Sequence, residues 1–176
     1  MTLSTLLIAS FVSSITKKFG KKEAGSFALI GAGLIYVIAF VLRIQNPLVF
    51  AILVIVAGMV MGYYTMAMYS YVTDVIDDFY IKRGTRKDGT IYAVYSFTRK
   101  VGQAIAGLLA GALLTQIGYV SGAEQQTAEV ANSIYSLGTI LPGGLLLAAG
   151  LILLFMYPLN KQKVNENTRI IESETK

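Results

Sequence analysis

Of 176 residues, 55% are hydrophobic and only 14% are charged, whereas a soluble domain carries about 25% charged residues; the chain reads as a polytopic membrane protein. A formal charge of +5 would point to nucleic acid in a soluble chain, but here the basic residues sit in short loops between apolar runs, where they set orientation, so no nucleic-acid partner is expected. Cysteine and histidine are both absent, which excludes disulfides, thiolate or imidazole metal sites and triads built on Ser-His or Cys-His; no metal site and no cofactor are expected, and the chain is not read as an enzyme.

The pattern predicts an all-α membrane protein with five transmembrane helices, at about 2–16, 24–42, 47–71, 90–119 and 134–157, and a tail over 161–176. The first span has 15 residues, seven of them Ser or Thr, where a full crossing needs about 20. It therefore reads as a helix whose beginning is missing. Its basic residues follow the apolar part, which argues against a signal peptide. Lys17, Lys18, Lys21 and Lys22 form a first loop expected to face the cytoplasm. The second span offers Gly31, Gly33 and Ala39 for close helix contact; Gly31-Ala32-Gly33 lacks the strand and the later acidic residue of a dinucleotide fingerprint.

Asn46 and Pro47 suit the cap and first position of the third span. Within it Gly58 and Gly62 form a GxxxG pair. Tyr69 and Tyr71 fit the interfacial aromatic belt, while Tyr63 and Tyr64, one to two turns deeper, are candidates for a pocket. Asp74, Asp77 and Asp78 follow at the negative end of the helix dipole, where they require cations; Lys82, Arg83, Arg86 and Lys87 are at hand. The cluster, with Asp88 beside Arg86, is either a solvated loop of weak ion pairs or a set of contacts at the cytoplasmic mouth that is made and broken between two states.

The fourth span holds the most demanding residues. Lys100 lies nine residues past Ile91, about 13 Å at 1.5 Å per residue, near the middle of a hydrocarbon layer about 30 Å thick. A charge there is costly and marks function unless it snorkels to the headgroups. Helical spacing puts Tyr92, Ser96, Lys100, Gln103 and Gly107 on one stripe and Arg99, Gln103, Ala106 and Ala110 on the next, with Gly107 and Gly111 as a second GxxxG. The face suits a polar cavity. The next loop, Val120 to Ser133, has Glu124 and Glu129 but neither Lys nor Arg, and the fifth span contains Leu141-Pro142-Gly143-Gly144, which predicts a kink or break. Two basic loops and the tail carry four Lys or Arg each, whereas the other two loops hold only Arg43. That bias predicts a multi-pass protein of the cell membrane with tail and basic loops in the cytoplasm. The tail reads as polar and mobile.

Asp74-Val-Ile-Asp77, Gly84-Thr85-Arg86-Lys87-Asp88-Gly89, Tyr92, Ser96-Phe-Thr-Arg99-Lys100-Val-Gly102-Gln103-Ala104 and Ile117-Gly118-Tyr119 together resemble the glycoside-pentoside-hexuronide:cation symporters of the major facilitator superfamily. The wording around Arg99 is nearer to glucuronide and related glycoside carriers than to melibiose carriers, and Tyr80 stands where relatives commonly have Glu. The resemblance implies twelve helices in two six-helix bundles, of which this chain would supply helices eight to twelve of the carboxyl-terminal bundle. It implies a sugar:cation symporter in which Lys100, Arg99, Gln103 and Ser96, with Tyr64 and Tyr63, form one wall of the sugar path. The coupling cation, a proton or sodium, would bind in the amino-terminal bundle, making that bundle, the sugar and the lipid bilayer the expected partners, and the chain alone would be inactive. The rival reading is a non-transporting membrane interaction or assembly protein.

Overall fold

A computed structural model describes residues 14–174. The span expected at 2–16 lies mostly outside the described residues, of which 14–19 are helical. Five further helices follow, α1 (Lys21–Leu42), α2 (Pro47–Arg83), α3 (Asp88–Gln116), α4 (Ala128–Met156) and α5 (Lys161–Glu174), and the described residues contain no strand. Three of these helices, α1, α2 and α4, are long and apolar enough to cross a membrane. α3 equals α4 in length at 29 residues but falls short in apolarity, because Arg99, Lys100 and Gln103 interrupt it.

The ends are set by local chemistry. Asn46 caps α2 by accepting the N–H groups of Leu48 and Val49 at 2.9 and 3.3 Å, with Pro47 in the first turn as its missing N–H allows. α2 does not stop near Tyr71, where the apolar run ends, but continues to Arg83. No Gly or Pro intervenes before Gly84, which takes the left-handed conformation (φ 68°) and bonds its N–H to the Tyr80 carbonyl at 2.8 Å. Lys82 and Arg83 in the last turn oppose the negative end of the dipole. At about 1.5 Å per residue, 37 residues span roughly 55 Å, about 25 Å more than a hydrocarbon layer of about 30 Å, so the end of α2 stands beyond it. α4 begins at Ala128, under a Thr127 cap, and remains helical through Pro142; the expected break at Leu141–Gly144 is absent.

α1 lies between α4 and α2, and the seams are built from small residues. A Cβ on Gly33 would sit 2.9 Å from the Gly143 carbonyl oxygen, and one on Gly150 would sit 2.7 Å from the Ile30 side chain. Ala32, Ser26, Ala39 and Thr139 are fully buried along the same seam. Ser26 and Thr139 each donate to a carbonyl one turn back, Lys22 at 2.8 Å and Tyr135 at 2.7 Å, so neither hydroxyl is orphaned. Across the other seam Gly25 admits the Tyr71 hydroxyl, which donates to the Lys21 carbonyl at 2.6 Å. Tyr71, expected in the interfacial belt, is therefore a core residue at 7% exposure, whereas Tyr69 is exposed.

α3 is different in kind. None of its residues is buried, and Gly102, Gly107 and Gly111 face open space among the described residues. The tail, expected to be mobile, forms α5, which lies against the end of α2 with Asn167 buried between them.

Candidate functional site

The carboxylates after Tyr71 do not form one cluster. Asp74 turns towards α1, where Lys21 Nζ donates to its Oδ1 at 2.6 Å; sequence reasoning placed it with Arg86 and its neighbours, and its true partner lies 53 positions away. Burial pushes the Asp74 carboxyl above its ordinary range while the Lys21 hydrogen bond and charge pull it back. Asp77 accepts from Arg86 Nη2 at 3.1 Å, and Arg86 Nε reaches both oxygens of Asp88 at 3.1 and 3.2 Å. Asp77, Arg86 and Asp88 thus meet as a small, largely exposed network. Asp78 takes a third route, accepting from Lys82 at 2.7 Å and from the Asn167 amide of α5 at 3.2 Å. Burial tends to raise its carboxyl, but the Lys82 and Asn167 hydrogen bonds and the charges of Lys82 and Lys163 outweigh it, so Asp78 sits below its ordinary value.

Between α2, α3 and α4 lies a cavity of about 350 Å³ walled by tyrosine rings, those of Tyr64, Tyr71, Tyr95 and Tyr157. Tyr71 meets Tyr157 edge-on with centroids 5.5 Å apart, and Tyr64 lies 6.0 Å from Tyr71. On α3, one turn from Tyr92, Tyr95 donates to Met68 Sδ at 2.7 Å and packs edge-on against Tyr69. Arg99, one turn further along the same face, reaches the Tyr69 hydroxyl at 3.5 Å.

Of the residues expected along a substrate path, Tyr64 and Arg99 therefore stand on or beside this aromatic wall. Ser96 is half-buried nearby, while Lys100 and Gln103 are exposed on α3, and neither has a side-chain hydrogen-bond or ion-pair partner among the described residues. Tyr63 is not with them. It is buried, shares a hydrogen bond of 2.9 Å with Thr16 and lines a separate apolar cavity with Phe27 and Met59. Sequence reasoning missed Tyr95 and Tyr157 as wall residues. The spacing of Tyr92 and Tyr95, three apart beside the intramembrane cations, was the available signal for the former; nothing local marks Tyr157. Among the described residues no group of His, Cys, Asp and Glu could hold a metal ion.

The surroundings constrain what this arrangement can do. A helix that is long enough to cross a bilayer but exposes two cations and a carboxamide cannot face hydrocarbon on that side without heavy cost. It needs water, a partner carboxylate or a polar ligand. Tyrosine rings supply flat apolar faces with polar tips, and Arg99, Lys100 and Gln103 supply hydrogen-bond donors, two of them cationic.

A family described as MFS/sugar transport protein matches residues 1–161. The chain is 35% identical over 163 residues to a Bacillus subtilis protein named uncharacterized symporter YjmB, covering 91% of this chain and 34% of that one. It is 30% identical to a putative sulfoquinovose importer of Salmonella typhimurium, over 86% of this chain and 32% of the relative, and 28% identical to the glucuronide carrier protein homolog of Escherichia coli, over 99% and 38%. The chain spans about a third of the length of these curated relatives.

Proposed function

This chain belongs to the MFS/sugar transport protein family, and from that premise we propose that it forms part of the carboxyl-terminal bundle of a sugar:cation symporter, with α3 lining the substrate path. The observation that carries the reading is the contrast within one membrane protein between small-residue seams that bury α1 and a helix, α3, that buries nothing while presenting Arg99, Lys100 and Gln103. In the proposed carrier the amino-terminal bundle covers that face and water fills the space between, so Lys100 meets water and not hydrocarbon near mid-membrane. Tyr64 and Tyr95 stack against the apolar face of a sugar ring. Lys100, Arg99, Gln103 and Ser96 bond its hydroxyls.

The rest of the proposal joins the charge bias of the loops to this arrangement. Alternating access rocks one bundle against the other around a midplane site, and contacts such as Asp77–Arg86–Asp88 form and break at the cytoplasmic face in that cycle. The coupling cation, proton or sodium, is held by carboxylates of the amino-terminal bundle. The carboxyl terminus and both basic loops face the cytoplasm of a cell membrane.

The test is gradient-driven uptake of a labelled glycoside by a carrier that joins this chain to an amino-terminal bundle, at matched expression. Lys100→Ala and Lys100→Arg are both expected to lower uptake at least about tenfold, because the wider planar fork of Arg does not replace a compact ammonium. Arg99→Lys is expected to be mild. Uptake unchanged in Lys100→Ala overturns the role of α3.

A further inference from the structure

At the membrane face opposite the basic loops, where α1 ends and α4 begins, lies a cleft of about 270 Å³ lined by Phe40, Arg43, Gln45, Asn132, Tyr135 and Ser136, among others. Its floor is internally satisfied. The Tyr135 hydroxyl donates to the Ala39 carbonyl at 2.6 Å and accepts the Ile44 N–H at 3.1 Å, and its ring lies 5.4 Å from that of Phe50. The Ser136 hydroxyl donates to the Asn132 carbonyl at 2.9 Å. The Arg43 guanidinium and the side-chain amides of Gln45 and Asn132, by contrast, have no hydrogen-bond or ion-pair partner among the described residues. Three exposed donor groups from two parts of the chain therefore line one cleft.

Two further features single out Arg43. It occupies a left-handed backbone position (φ 44°, ψ 55°), which Gly or Asn fills with less strain, so a long cation is kept there against the local preference. It is also the one Lys or Arg in the two loops of that face, and neither Glu124 nor Glu129 lines the cleft. Depth matters as well. α1 is 22 residues long, about 33 Å at 1.5 Å per residue, which matches a hydrocarbon layer about 30 Å thick, and the cleft lies at its end. The headgroup layer on one side is about 5–8 Å thick. The cleft therefore opens where hydrocarbon meets headgroups.

We infer that this cleft binds the phosphate group of a phosphoester, held by the Arg43 guanidinium fork with the Gln45 and Asn132 amides as additional donors. A guanidinium presents paired N–H groups that match phosphate oxygens, and at this depth the phosphate nearest to hand is that of a phospholipid.

The test uses the full chain purified in detergent, with bound lipid counted by native mass spectrometry during titration with phosphatidylglycerol or with diacylglycerol, which has the same chains and no phosphate. Phosphatidylglycerol is expected to bind at least about tenfold more tightly than diacylglycerol, the worth of charged hydrogen bonds. Arg43→Asn, which suits the left-handed backbone, is expected to abolish that preference, and Asn132→Ala to weaken it severalfold. Lys87→Gln removes a cation at the opposite face and is expected to leave it intact. Equal retention of the two lipids, or a preference that survives in Arg43→Asn, overturns the site. Competition by inorganic phosphate separates the sources: displacement at millimolar concentration assigns the cleft to any phosphate, and none assigns it to the lipid.

Discussion

The seam between α1 and α4 and the surface of α3 are both rich in small residues, yet one is the tightest contact in the molecule and the other touches almost nothing. Along the seam Gly33, Gly143 and Gly150 hold backbone close to backbone, and an added Cβ at each would meet an atom at 3.0 Å or less. On α3, Gly107 and Gly111 carry the same spacing motif and meet no described atom within 4 Å. Lipid gives helices no hydrophobic reason to associate, so close approach must come from packing and hydrogen bonds. A GxxxG pair permits that approach without enforcing it. Where the helix also carries cations and an amide, that face is poorly matched to lipid.

The comparison can be broken first at its electrostatic pin. Lys21→Met leaves Asp74 buried without a cation and with a second oxygen that already lacks a partner, and a loss of about 3 kcal/mol is expected, read as a fall in the unfolding midpoint in detergent. Smaller but more diagnostic is Gly33→Ala, whose Cβ would press on the Gly143 carbonyl oxygen and the Leu147 side chain at 2.9 Å; overpacking there is expected to cost about 2 kcal/mol. Gly107→Ala on α3 should shift the same midpoint by no more than about 0.5 kcal/mol. Equal losses at Gly33 and Gly107 would erase the distinction between the two regions.

The most local effect is expected at the tail. Asn167→Ala removes the amide that Asp78 accepts, worth about 1 kcal/mol, and should raise protease cleavage of α5 while leaving the α1–α4 seam protected. The same contact is pH-dependent. Because folding lowers the Asp78 carboxyl below its ordinary value of 3.8, its contribution is present above that value and is lost as the pH falls through the lower folded-state value. Cleavage of α5 should therefore increase in strong acid and be unchanged between neutral pH and pH 5.

The contrast between regions also marks how far the sequence alone could reach. Long charge-free runs made α1 and α4 legible, Asn46-Pro47 announced the start of α2, and Arg99 with Lys100 singled out α3. What escaped depends on side chains meeting across the chain. Tyr71 has the composition of a belt residue and becomes core only because Gly25 leaves room for its ring and the Lys21 carbonyl accepts its hydroxyl. Asp74 has four cations within 13 residues and pairs with none of them, since the helix continues past Tyr71 and turns it towards α1. The polar tail is held by partners far along the chain, Asn167 by Asp78 and Lys161 by the Lys17 and Lys18 carbonyls. No local pattern encodes such pairings.

The central claim, that α3 faces a substrate path and not lipid, is tested most directly by protection of a thiol. The chain has no cysteine, so Gly107→Cys, on the same stripe as Lys100 and with open space around its Cβ, adds one thiol to it without removing a residue proposed to hold sugar. In a carrier that joins this chain to an amino-terminal bundle freed of cysteine, its rate of reaction with a membrane-impermeant maleimide is measured with and without glycoside. The account predicts reaction from the aqueous phase that slows severalfold when sugar is bound; a thiol that reacts only with a lipid-soluble maleimide, at a rate indifferent to sugar, contradicts it.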